Sequence, residues 1–152
     1  MNYKYCSCFG HLKIDITEEL EKNTEKLFES LVVNENVGNF FFGGFGLFDD
    51  LCWQVVTKLK QKYPHIKRIF CLHDPRLQRI DKRIKYFNEE DYEEFIYLDL
   101  SFDYWYTRIY YRNCEMINQS DFVVFYIRNT NNSGAYKAYK YAVKQKKQIF
   151  EL

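Results

Sequence analysis

The sequence predicts a three-layer α/β domain with a mostly parallel sheet of about five strands. Two apolar runs carry that prediction. Phe122-Val123-Val124-Phe125-Tyr126-Ile127 is continuous rather than alternating, the pattern of a strand buried on both faces, and Ile66 to Leu72 reads the same way. The third observation is order. Strand-like runs alternate along the chain with segments of helical periodicity, and strands so connected pair in parallel beneath helices on both faces.

Tyr5 to Phe9 reads as the first strand, ended by Gly10-His11. Asp15 and Glu18 are spaced as a capping pair for a helix from Ile16 to about Val32, with Leu20, Leu27, Phe28 and Leu31 as its apolar face. Asn39 to Phe42 is the second strand. The helix from Leu47 to Lys62 is the clearest element, because Phe48, Leu51, Cys52, Val55, Val56 and Leu59 recur at three and four residues and Pro64 lies just past its end. Ile66 to Leu72 is the third strand. His73 to Asp103 is charged and aromatic without a sustained period, which predicts a lid or an insertion, with Phe95 to Leu98 as one short strand inside it. Tyr104 to Asn118 is helical, with Trp105, Ile109, Arg112 and Met116 on one line. After the strand at Phe122 to Ile127, Asn129 to Ser133 is a turn. Gly134 opens the last helix, with Ala135, Ala138, Tyr139, Ala142 and Val143 inward and Lys137, Lys140 and Lys144 outward. Gln148 to Leu152 closes the sheet.

Length and a 47% apolar composition make residues 1–152 one domain with its own core. A net charge of +1 gathers neither nucleic acid nor an anionic membrane, so neither is expected as a partner. The 14 Tyr and 14 Phe accompany many Lys and Asn, so they are read as compositional bias rather than as a stacking platform. The five cysteines are odd in number and form no CxxC; Cys6 and Cys8 share one side of a strand, and all five are expected as buried thiols in a reducing cytoplasm. No window approaches the ~18 apolar residues of a membrane span. No His, Cys and Asp set has metal-ligand spacing, so no metal and no cofactor is expected.

The segment with the most chemistry in it is Gly43-Gly44-Phe45-Gly46, set between an apolar run and a helix start. Glycine allows close backbone approach and positive φ, and a helix N-terminus presents unpaired N–H groups to an anion. In a parallel sheet ligands bind beyond the carboxyl ends of the strands. Three turns converge there: Gly10-His11, Gly43 to Gly46, and Asn129 to Gly134. Arg112 sits on an inward helical line, where a guanidinium needs a carboxylate or a phosphate. Asp49, in the first turn of its helix, is its candidate internal partner or a ribose contact. Asn113 bonds ligand or caps a turn. Tyr126, at the end of a core strand, packs in the core or stacks on a base. His65 and His73, and Arg76, Arg79 and Arg83, read as solvated loop residues.

Four pieces of the chain, in order, resemble the SLOG superfamily, the Rossmann-like group named for Smf and lonely-guy proteins. They are Phe9-Gly10-His11, Gly43 to Asp49, Tyr111-Arg112-Asn113 with Met116-Ile117 and Ser120-Asp121, and Ser133-Gly134-Ala135. The resemblance is to its small single-domain bacterial branch. It implies a Rossmann-like fold, a homo-oligomer, and a site for a nucleotide-derived small molecule lined by Gly10, His11, Gly43, Gly44, Phe45, Gly46, Asp49, Arg112, Asn113, Ser133, Gly134 and Ala135. Some members hydrolyse nucleoside monophosphates; others, in Thoeris-type antiphage effectors, bind cyclic ADP-ribose signals. The hydrolytic branch carries Pro-Gly-Gly-x-Gly-Thr-x-x-Glu, and here Ala138 falls where its catalytic Glu belongs. Leu12 replaces a basic residue often found after Gly-His.

The expectation is therefore a non-catalytic binder of an ADP-ribose or cyclic-nucleotide signal, acting as a sensor through a partner or as a sequestering sponge. The alternatives are a nucleoside 5′-monophosphate phosphoribohydrolase and a protein-interaction scaffold with a vestigial site.

Overall fold

The computed structural model describes residues 2–72, 88–97, 105–130 and 133–152. Its six strands are β1 (Lys4–Gly10), β2 (Val37–Phe42), β3 (Lys67–Leu72), β4 (Glu94–Tyr97), β5 (Phe122–Tyr126) and β6 (Gln148–Glu151). They form a single sheet in the order β4-β3-β2-β1-β5-β6, and every neighbouring pair is parallel. The helices are α1 (Glu18–Asn34), α2 (Leu47–Lys62), α3 (Trp105–Asn118) and α4 (Gly134–Lys144). α1 packs with α2 and α3 with α4, which gives the three layers.

The apolar runs explain the centre of the sheet. All of β2 is buried, and so is β5 except for Tyr126 at its carboxyl end. Alternate side chains feed two cores. Cys6, Cys8, Phe40, Phe42, Phe70 and Val124 join the α1/α2 core, whereas Phe9, Phe41, Ile69, Val123 and Phe125 join the α3/α4 core. Cys6 and Cys8 do share one face, and all five thiols are free and buried. Every apolar position expected on α2 is buried.

Several boundaries differ from the sequence expectation. α1 starts at Glu18, not Ile16, because Thr17 is its N-cap: its hydroxyl accepts the Leu20 N–H at 3.1 Å, so Asp15 is not the cap. Thr24 is buried on α1 because its hydroxyl donates to the Leu20 carbonyl at 2.7 Å. Val143 is 51% exposed rather than inward, since the small residues Ala135, Ala138 and Ala142 already form the buried line of α4. Among the described residues the sheet has six strands, the sixth being the short strand expected near Phe95.

That strand is held by a feature the sequence did not announce. Arg68, 8% exposed on β3, lies 5.5 Å over the Trp53 ring. Its Nε and Nη2 donate to Glu93 Oε2 (3.1 Å) and Oε1 (3.0 Å), and its Nη1 donates to Thr57. Burial works against the Glu93 charge, but Arg68 and Lys60 win and hold its carboxyl below the ordinary range. The expected lid, with His73, Arg76, Arg79 and Arg83, falls mainly outside the described residues. No helix among the described residues is long and apolar enough to cross a membrane.

Candidate functional site

The strand order places a topological switch between β1 and β5. The chain leaves β1 for α1 on one face of the sheet and leaves β5 for α4 on the other. Two loops that part in this way leave a crevice beyond the carboxyl ends of their strands. The β2–α2 glycine loop meets the chain after Gly10-His11 through Leu47 N–H on the Leu12 carbonyl, and His11 meets Asn129 at the start of the third expected turn, Asn129 to Gly134, part of which lies outside the described residues.

Two glycines are required by contact. A Cβ on Gly10 would lie 2.4 Å from the ring of Phe48, which is fully buried at the start of α2. A Cβ on Gly43 would lie 2.5 Å from Arg112 Nη2 and 2.6 Å from its Cζ. Gly44 and Gly46 are required by conformation, with φ of 81° and 98°. Gly46 is the N-cap of α2.

Two N–H donors of this loop are taken by the protein itself. Asp49 accepts the Gly44 N–H at 2.9 Å and the Gly43 N–H at 3.4 Å. The first amide of α2, Leu47 N–H, donates to the Leu12 carbonyl at 2.9 Å, so the chain after β1 covers the helix end. Arg112 is 4% exposed and lies 5.6 Å over Phe45. Its Nη1 donates to the Gly43 carbonyl at 2.9 Å, and its Nη2 and Nε donate to Asn113 Oδ1 at 3.0 and 3.3 Å. Asn113 therefore orients Arg112, and Asp49 braces the loop amides.

Burial raises the Asp49 carboxyl to about 7, against the pull of Arg112 and of the Gly44 and Gly43 amides. Burial also lowers Arg112, while the neighbouring Cys71 and Asp49 support its charge. Burial lifts Cys71 to about 12 and Cys52, one turn after Asp49, well above its ordinary value, so neither thiol is an available nucleophile.

Across the switch, His11 Nε2 accepts two backbone N–H groups, from Arg128 at 2.9 Å and Asn129 at 3.1 Å. It ties the chain after β5 to the end of β1. Tyr126 stacks at 5.6 Å on Phe48, and the Arg128 guanidinium lies 4.1 Å over the Tyr126 ring. Tyr126 is legible in the sequence as the end of a core strand, whereas the role of Arg128 emerges only in the fold. The available signal was a cation placed just past the carboxyl end of a buried strand. Ser133 is the N-cap of α4 and accepts the Tyr136 N–H at 3.1 Å. Gly134 is exposed with open space about its Cα, and Ala135 is buried. Ala138 is 1% exposed and packs in the α3/α4 core. No group of three His, Cys, Asp or Glu among the described residues could hold a metal ion.

No family model and no curated protein matches the chain. Solved structures do. DNA processing protein A from Helicobacter pylori, studied for its single-stranded DNA binding mode, superposes with a TM-score of 0.62 at 14% identity, over 97% of this chain. This chain spans 64% of that one. The structural-genomics target TM1055 superposes with a TM-score of 0.61 at 16% identity, over 96% of this chain and 72% of its own. At such identities the likeness is one of fold, and the fold is Rossmann-like.

Proposed function

We propose that this chain binds a nucleotide-derived small molecule of the ADP-ribose or cyclic ADP-ribose kind and does not turn it over, as a sensor acting through a partner or as a sequestering protein. The observation that carries the reading is the β1/β5 switch. Beyond the strand ends lie the Gly10-His11 and Gly43 to Gly46 turns, Tyr126 stacks on the buried Phe48, and His11 ties the chain after β5 to the end of β1. Parallel sheets of this kind take nucleotides at that place. The ordered SLOG motifs support the same class of ligand. Ala138 supports binding without hydrolysis, because that position faces the core and supplies no acid–base group.

The test is calorimetric titration with ADP-ribose, cyclic ADP-ribose and AMP, followed by chromatography of each mixture. Saturable binding of at least one, with every ligand recovered intact, is the expected result. Release of free base from AMP favours the phosphoribohydrolase reading instead. No binding of any of the three favours the scaffold reading.

A further inference from the structure

The sequence points to Arg112 as the cation for a ligand phosphate, yet its guanidinium is buried and bonded to Gly43 and Asn113. Arg128 has the opposite arrangement. It is exposed, two residues past Tyr126, at the carboxyl end of the strand that borders the switch. Its side chain is nevertheless held. The guanidinium packs 4.1 Å over Tyr126, and Nη1 donates to the main-chain oxygens of Ile127 at 3.3 Å and Leu152 at 3.1 Å. Its backbone is held as well, through the N–H on His11.

Those contacts use only Nη1 and one ring face. Among the described residues, nothing accepts from Nε or Nη2. These two nitrogens form the side-on fork of a guanidinium, the edge that matches two oxygens of a phosphate or carboxylate. An arginine normally loses considerable side-chain entropy when it binds an anion; here much of that ordering is already done. α4 also starts at this edge of the sheet, because it follows β5 in a parallel β–α–β unit, and so turns its positive dipole end the same way.

We propose that the Nε/Nη2 fork of Arg128 is the oxyanion-binding element of the β1/β5 crevice, and that its anion is a phosphate group. That the phosphate belongs to a nucleotide-derived molecule rests on the preceding reading; the oxyanion site itself does not.

Two measurements separate these levels. In the first, inorganic pyrophosphate is titrated into the protein while the Arg128 Nε–H resonance is followed by NMR. A saturable shift of that resonance is expected, and an unmoved resonance at high pyrophosphate overturns the site. In the second, ADP-ribose affinity is compared among wild type, Arg128→Ala and Arg128→Lys, each checked for an unchanged melting temperature. Affinity should fall at least tenfold in Arg128→Ala. Arg128→Lys should not restore it, because an ammonium keeps the charge but not the fork. Equal affinity in all three proteins overturns the proposal. A pyrophosphate shift at Arg128 with no ADP-ribose binding by wild type upholds the oxyanion site and removes the nucleotide reading.

Discussion

Asp49 and Arg112 grip the same peptide group from its two ends. The carbonyl of the Gly43–Gly44 peptide accepts from Arg112 Nη1 at 2.9 Å, and its N–H donates to Asp49 Oδ2 at 2.9 Å. An acid from α2 and a base from α3 thus meet through one peptide of the β2–α2 loop, and helices from opposite faces of the sheet are linked there. A buried acid and a buried guanidinium of this sort are tolerable because each is hydrogen-bonded.

Gly43→Ala should break this arrangement. The new Cβ would sit 2.5 Å from Arg112 Nη2, and the guanidinium cannot withdraw without leaving the Gly43 carbonyl and Asn113 Oδ1 without their donor. A loss of about 1–3 kcal/mol of stability is expected, as for other overpacked sites. Urea denaturation measures it, and an unchanged midpoint would show that Arg112 is not fixed by this peptide.

The raised Asp49 carboxyl gives a pH dependence of definite sign. In the unfolded chain it titrates near 3.8, and in the folded protein near 7. Between those values the folded state keeps a proton that the unfolded state has lost, so rising pH favours unfolding. The associated stability is full below about pH 4 and is lost as pH rises through 7, with a slope of about 1.4 kcal/mol per pH unit within the window. Asp49→Asn removes the titrating group. Thermal melts from pH 4 to 8 should show the wild type losing stability relative to Asp49→Asn as pH rises, and parallel curves would contradict the assignment.

His11→Phe should loosen the switch without unfolding it. Both N–H groups accepted by Nε2 belong to the chain after β5, and a phenyl ring accepts neither. Hydrogen exchange at Arg128 and Asn129 should accelerate about tenfold, the equivalent of roughly one hydrogen bond's net worth. Unchanged protection of both amides would mean that other contacts hold that chain.

Much of the layered fold was legible because burial imposes a pattern. The period of α2 put Phe48, Leu51, Cys52, Val55, Val56 and Leu59 on one face, and the unbroken run at Phe122 marked a strand covered on both sides. Helix ends were less legible: Thr17 and Asp15 are both good caps by type, and only the geometry of the Thr17 hydroxyl decides between them. At the site, sequence could bring the loops together but could not apportion their hydrogen bonds. It offered the Gly43 and Gly44 amides and Arg112 to a ligand, whereas folding gives them to Asp49, the Gly43 carbonyl and Asn113. Arg128 is not legible in the sequence because its place depends on two neighbours, Tyr126 and Leu152, that only the tertiary structure brings to it.

The proposed function places a nucleotide-derived ligand at the β1/β5 switch. Titration of ADP-ribose into uniformly nitrogen-15-labelled protein, read as backbone amide shifts, locates that ligand. Saturable shifts concentrated at Gly10 to Leu12, Gly43 to Gly46 and the chain from Ile127 to Thr130 are predicted. Shifts confined to another part of the surface, or none at saturating ADP-ribose, would contradict it.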